Sequence, residues 1–250
     1  MTSILRVDEE FRRRAVKPRD AWWAVLVLDH LVLPVLAVLV RFPWVTPMRL
    51  TMVGAAFGVA AVASFGTGHL VLGAILFELR FFLDCLDGKL ARVRGLTSPR
   101  GAFLDFTSDV VLISAAMGAL GWHLSQSPTR LPLALPAACT VACLILFWLI
   151  LYDLDHPAVS SGGPAPKETP FGRWRRHHRL VRHPGTIEVE TGLLFLAPLI
   201  GNASLLTAAF VGAGVYYVVA SVHHFVKLLR RTSPPPAPLE DEPLFPPLAS

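Results

Sequence analysis

The 250-residue sequence is short of charge: Asp, Glu, Lys and Arg together make up 16% of it, against roughly 25% in soluble domains. Hydrophobic residues make up 53%, and the mean hydropathy is +0.53. A soluble domain of this length needs a polar surface over its core, and too few polar residues are present to make one. That scarcity excludes a disordered protein, a secreted disulfide scaffold and a simple cytosolic enzyme. It leaves an all-α integral membrane protein built as one bundle. Cysteine is also scarce. Cys85, Cys139 and Cys143 all fall in apolar stretches. Cys139 and Cys143 are one helical turn apart and lack two further zinc ligands, so all three read as core packing. Lysine is nearly absent, 4 against 19 arginines, a bias that carries no function by itself. The net charge of +5 lies between apolar segments, which suits anionic headgroups and membrane topology rather than nucleic acid. No apolar run with a small-residue cleavage site follows the basic N-terminus, so no signal peptide is expected.

Residues 22–41 are apolar, open with Trp22 and Trp23, and are interrupted by Asp29, His30 and Pro34. They read as a helix lying in the membrane interface rather than crossing it. Clearer spans are expected at about 47–65, 70–91, 101–124, 131–152 and 203–226, each close to the ~20 residues that cross hydrocarbon. A sixth, 187–201, is short, opens with Glu188 and Glu190, and forms a helical hairpin with the next. Gly54 and Gly58 form a GxxxG pattern suited to close helix packing. The connections near 66–69 and 200–204 hold no Lys or Arg, and 125–130 holds only Arg130. The opposite side holds the N-terminal cluster of residues 1–21, Arg94, Arg100, the arginines of the 153–186 loop, and Lys227 to Arg231. By the positive-inside rule that side is cytoplasmic, which puts both termini there in a multi-pass protein of the cell membrane. Residues 232–250, with seven prolines, read as a disordered tail. The membrane domain is thus 22–231.

Four aspartates break the apolar pattern. An Asp at mid-bilayer costs about 2.5–3.5 kcal/mol on insertion scales, so four cost on the order of 10 kcal/mol unless they bind a cation or sit near the interface. Helix-end residues reaching for water account for one or two. The spacing asks for more. Asp84 and Asp87 are i,i+3 on one helix, Asp105 and Asp109 are i,i+4 on the next, and a short turn at about 93–100 joins the two. Ser98 and Pro99 supply an N-cap and first residue for the second helix. Folding the hairpin gathers four hard oxygen donors near the cytoplasmic edge, suited to Mg²⁺ or Mn²⁺. Gly88 and Gly101 leave room for a ligand's phosphates, and Arg92 is placed to pair with one.

The pattern Asp84-x2-Asp87-Gly88-x2-Ala91-Arg92-x8-Gly101-x3-Asp105-x3-Asp109 resembles the signature of the CDP-alcohol phosphatidyltransferases. All eight fixed positions match. At about 1 in 20 per position, a chance match is on the order of 10⁻¹⁰, which makes this pattern far more specific than short motifs. The six spans with an interfacial N-terminal helix extend the resemblance to about residues 20–230. The resemblance implies that Asp84, Asp87 and Asp105 bind the metal that holds the donor diphosphate. Asp109 is implied as general base with a share in the metal. Gly88, Ala91, Arg92 and Gly101 would line the nucleotide and phosphate pocket. The sequence departs from the Pro-Asn found before the first span in many relatives. Here Pro47-Met48 is followed by Arg49 and Thr51, and Thr51 is the residue assigned to the donor.

The implied activity is transfer of a phosphatidyl group from CDP-diacylglycerol to a small hydroxyl acceptor, with release of CMP. Lys89 inside the motif is also seen in enzymes that use CDP-choline or CDP-ethanolamine with diacylglycerol, which is the alternative. A non-catalytic membrane protein of the same fold is a third reading. Arg80, one turn before Asp84, either pairs with Asp84 or holds an acceptor phosphate, and Glu78 is read as its partner or as water-facing. Arg179, Arg182 and His183 are either topological charge or an acceptor-phosphate site. The second option gives inositol phosphate or glycerol phosphate as the acceptor. Asp153, Asp155 and His156 read as a solvated helix end, and His223 and His224 as interfacial. By analogy with relatives the protein is expected to be a homodimer.

Overall fold

The computed structural model describes residues 9–126, 131–155 and 169–230. His156, the Ser160–Pro164 stretch, Lys167 and the Pro-rich tail lie outside the described residues. Every named element among the described residues is a helix: α1 (Glu9–Ala15), α2 (Ala24–Leu39, opening with a π turn), α3 (Pro47–Gly66), α4 (Leu70–Arg94), α5 (Pro99–Gln126) and α6 (Ala134–Asp155). Then follow α7 (Pro170–His177), α8 (Thr186–Thr191), which continues through a π turn into α9 (Ala197–Ile200), and α10 (Ala203–Leu229). Among the described residues, four helices are long and apolar enough to cross a membrane: Pro47–Gly66, Pro99–Gln126, Ala134–Asp153 and Ala203–Leu229. Helix α4 has the length but carries the charges of the signature. The α8–α9 run is shorter.

The helix ends follow from local chemistry. Thr46 caps α3, its Oγ1 accepting from the Arg49 amide at 3.3 Å, with Pro47 as the first residue. Helix α4 stops at Gly95, which adopts φ +66°, a conformation costly for any residue with a Cβ. There the Leu96 amide turns back on the Ala91 carbonyl at 2.8 Å. Helix α5 starts two residues past Thr97, with Ser98 Oγ accepting from the Gly101 amide at 3.0 Å. A tight hairpin between the two signature helices results.

Two packed clusters hold the molecule. The larger joins α3, α4, α5, α6, α8–α9 and α10 through Phe65, Phe77, Met117, Leu146, Leu194, Phe210 and Tyr217. Cys139 and Cys143 are buried in it. The smaller seats α1 and α2 on the end of α4 through Ala15, Leu28, Val32, Leu36, Leu86 and Leu90. Large apolar side chains such as Val59, Trp148 and Val219 point outward, as a surface in contact with lipid requires and a water-facing one does not. Arg94 reaches across from α4 to the Val40 and Phe42 carbonyls at 3.1 and 2.9 Å, and so pins the α2–α3 turn beside the signature hairpin.

Candidate active site

The α4–α5 hairpin brings three of the four signature aspartates together. Carboxylate oxygens of Asp84, Asp105 and Asp109 lie within 4.8 Å of one another, and all three side chains are half-buried. They line one cavity with Asp87, Ser108, Arg80 and Thr51. Three carboxylates this close repel one another unless a cation lies among them. An all-oxygen donor set suits a hard divalent cation. The residues present therefore fit Mg²⁺ or Mn²⁺.

Asp87 stands apart from that trio. It is buried at 4% exposure, and its Oδ2 accepts from the Thr51 hydroxyl at 2.5 Å. Thr51 Oγ1 also lies 3.1 Å from the Pro47 carbonyl. Thr51 thus ties α3 to a signature carboxylate and orients Asp87 at the cavity wall.

Arg80 is buried at 3% exposure and donates from Nη2 to Oδ1 of Asp109. Helical spacing on α4 favours pairing with Asp84, but the close partner lies across the hairpin on α5. Close packing of α3 explains the placement. At Gly58 a Cβ would stand 3.2 Å from Arg80 Cδ and 2.7 Å from Leu112 Cδ1. The bare Gly58 therefore leaves room for the Leu112 methyls and the Arg80 stem, which a side chain there would have to displace. The Phe77 ring, 5.5 Å from the guanidinium carbon, closes the other side. Arg80 is therefore the cation of the carboxylate cluster, and its reach is spent on Asp109.

The donor-side residues group around the C-terminal half of α4. Arg92 Nε donates to the Ala15 carbonyl at 2.7 Å, so α1 anchors it. Its Nη1 lies 3.5 Å from where a Gly88 Cβ would stand. Ala91 is half-buried beside it. At Gly101 a Cβ would crowd Ser98 Oγ at 3.1 Å, so this glycine serves the α5 cap as well as any ligand.

The other charged residues have partners that spacing does not reveal. Glu78 accepts from Trp23 Nε1 at 2.8 Å and is not the partner of Arg80. Arg179 pairs with Asp29 Oδ2 at 2.5 Å. The other oxygen of Asp29 lies 3.0 Å from Lys89 Nζ. Asp29 and Lys89 are each almost fully buried. A buried acid thus bridges α2, the signature helix and the segment after α7. Arg179 adopts φ +59°, and Leu180 forms a parallel bridge with Asp20. Arg182 is exposed. Glu188 accepts from the Gly185 and Trp23 amides at 2.5 and 3.1 Å, so it caps α8 and ties it to α2. Glu190 is buried at 7% exposure, within electrostatic reach of Arg80 and Asp109. Asp153 takes Lys227 Nζ at 3.0 Å, which joins α6 to α10. Of these, Asp29 is the residue that sequence reasoning missed. It read as an interruption in an apolar run. Its only signal was a carboxylate on the same face as Val32, Leu33 and Leu36, too apolar a face to leave it unpaired.

A family model described as CDP-alcohol phosphatidyltransferase matches residues 44–215. The chain is similar to a phosphatidylinositol phosphate synthase of Corynebacterium glutamicum, 40% identical over 84 residues, which is 33% of this chain and 38% of that protein. It is also similar to an archaetidylinositol phosphate synthase of Pyrococcus horikoshii, 37% identical over 81 residues, 30% of this chain and 43% of that protein. The aligned stretch therefore spans well under half the length of these relatives. Among solved structures, the Mycobacterium tuberculosis phosphatidylinositol phosphate synthase with CDP-DAG bound superposes with a TM-score of 0.59 at 23% identity, covering 80% of this chain and 94% of that one. The same enzyme in complex with manganese and citrate gives 0.60. At that identity the likeness shows the shared fold.

Proposed function

This chain belongs to the CDP-alcohol phosphatidyltransferase family, and on that premise we propose that it transfers a phosphatidyl group from CDP-diacylglycerol to a small hydroxyl acceptor and releases CMP. The observation that carries this reading is the complete eight-position signature, with Asp84, Asp105 and Asp109 converging on one cavity. Those three residues, with Asp87 at the wall, would hold Mg²⁺ or Mn²⁺. A bound divalent cation supplies neutralisation of charge on the departing CMP phosphate.

The remaining steps belong to the chain's own side chains. Arg80 occupies Oδ1 of Asp109, which leaves Oδ2 to accept the proton of the acceptor hydroxyl. The hydroxyl oxygen forms the new bond to the β-phosphorus as the bond from that phosphorus to CMP breaks. Arg92, anchored on Ala15 and lying along Gly88, is placed for the donor phosphates. A phosphorylated acceptor such as inositol phosphate is our preferred choice, supported by the names of the similar synthases. Arg179 is spent on Asp29, so among the basic residues assigned to that acceptor the exposed Arg182 fits best. Lys89 is the motif residue also seen in enzymes that use a CDP-choline-type donor. Buried against Asp29, it no longer favours that alternative.

The reading includes six spans at α3, α4, α5, α6, α8–α9 and α10, an interfacial α2, both termini and the site on the cytoplasmic side of the cell membrane, and a homodimer. Light scattering in detergent checks the last. The activity is tested by CMP release from purified protein in detergent with CDP-diacylglycerol, Mg²⁺ or Mn²⁺, and a panel of acceptors. CMP is expected with a phosphorylated acceptor. No CMP with any of them overturns the proposal.

A further inference from the structure

Helix α7 plays no part in the chemistry above, yet its composition is extreme. From Pro170 to His183 the chain holds five arginines and three histidines and no acid. The helix sorts them. At 100° per residue, Phe171, Trp174 and His178 share one face, and Arg173, Arg176 and His177 share the opposite one. The aromatic face is built: Phe171 stacks on Trp174 at 5.7 Å, Trp174 meets His178 at 4.7 Å, and Trp22 lies 6.4 Å from both Phe171 and Trp174. It is nonetheless open, with Phe171 57% and Trp174 44% exposed. Two stacked aromatics left exposed beside a membrane bundle are costly in water and favourable at the headgroup level. Between the faces, Arg175 Nη1 is buried and has no hydrogen-bond acceptor among the described residues. A buried guanidinium nitrogen without an acceptor calls for an anionic oxygen.

We propose that α7 lies in the membrane surface and binds the phosphates of anionic lipid headgroups, with Phe171 and Trp174 seated at the acyl boundary and Arg173, Arg175 and Arg176 on the phosphates. Charge complementarity selects this occupant: a zwitterionic surface offers no net attraction to a helix that carries Arg173, Arg175 and Arg176 and no acid of its own, and an anionic one does. The segment is also tied to the protein body. Trp22 Nε1 donates to the Val181 carbonyl at 3.2 Å, and Asp20 exchanges backbone hydrogen bonds with Arg179 and Val181 at 2.8 and 3.1 Å. Arg179 then reaches Asp29, and through it Lys89 on the signature helix. A headgroup-bound α7 is thus anchored to the helix that carries Asp84 and Asp87.

The test needs no enzymatic activity. Amide hydrogen exchange of the full chain is measured in nanodiscs of phosphatidylcholine alone and in nanodiscs with a third of the lipid replaced by phosphatidylglycerol. Exchange over residues 170–183 is expected to slow in the anionic discs, by about fivefold per engaged arginine. The combined Arg173→Gln, Arg175→Gln and Arg176→Gln variant is expected to exchange at the neutral-disc rate in both, with α4 protection unchanged as proof of folding. Equal exchange of the wild-type segment in both discs overturns the proposal. So does protection conferred in neutral discs by inorganic phosphate alone, which would make this a free-phosphate site rather than a lipid surface.

Discussion

At the scale of single residues the site is a problem in charge balance, and its members respond differently to the loss of one atom. Asp109→Asn keeps the shape and an oxygen but cannot take a proton at neutral pH, so turnover is expected to fall by about 10²–10⁴. Metal dependence should survive better than in Asp84→Asn, and CMP release against Mn²⁺ concentration checks both. Arg80 is the one cation paired directly with the trio among the described residues. Removing it by Arg80→Met leaves the repulsion among Asp84, Asp105 and Asp109 to a bound divalent ion alone. The melting temperature in Mn²⁺ should then exceed that in EDTA by a wider margin than in the wild type, because a ligand stabilises by its preference for the folded state. An unchanged margin would show that Arg80 does not balance the cluster. Asp29 answers to the same physics away from the site. Asp29→Asn leaves Lys89 buried and uncompensated, at a cost of about 3–5 kcal/mol. Asp29→Leu with Lys89→Met should recover most of it, since Arg179, 19% exposed, can turn to water. Thermal melts of the single and double variants separate a buried pair from an incidental contact.

Elements set where those residues meet, and here sequence and structure part in an instructive way. The signature hairpin was legible because its geometry is local: i,i+3 and i,i+4 spacings put the carboxylates on facing sides, and Ser98 and Pro99 mark the turn. Helices begin and end within a few residues of the apolar runs. Partnerships across elements were not legible. Arg179 and Asp29 are 150 residues apart, and Trp23 and Glu78 are 55 apart. Local spacing gave Arg80 a partner on its own helix, but packing gave it one on the next. The GxxxG pattern of α3 explains why packing won. It was legible as a close-packing face, though not as the space into which the Arg80 stem fits. Gly58→Val fills that space from 2.7 Å off Leu112 and 3.2 Å off Arg80. Overpacking of this kind costs about 1–3 kcal/mol, and turnover should fall further than stability because the displaced group holds Asp109. Gly54→Ala, whose nearest neighbours stand at 3.5 and 3.7 Å, should leave CMP release close to wild type. Equal effects at the two glycines would show that α3 merely packs.

For the whole molecule the decisive element is the α8–α9 run, which brings the least length to the bilayer. Thr186–Ile200 rises only about 22 Å at ~1.5 Å per residue, short of the ~30 Å hydrocarbon core. A crossing is still feasible because the run does not start at the bilayer edge. Glu188 is held by the Trp23 amide at the head of α2, and Glu190 lies buried within reach of Arg80. The head of α8 is thus held by polar contacts, and the apolar part of the run is the π turn Gly192–Leu196 with α9. At its far end Gly201 adopts φ +67° and Asn202 caps α10, its Oδ1 accepting from the Leu205 amide at 3.0 Å. The chain therefore reverses there within a turn that holds no basic residue. If the run crosses, exposed Ala203 and exposed Arg173 lie on opposite faces of the membrane. Native Cys139 and Cys143 are buried and Cys85 is half-buried, so an introduced thiol dominates labelling. A membrane-impermeant maleimide added to sealed vesicles of known orientation is expected to reach Arg173→Cys only from the cytoplasmic face and Ala203→Cys only from the other. Labelling of both from the cytoplasmic face would make α8–α9 a re-entrant segment, put α10 on one side at its start, and break the six-span arrangement.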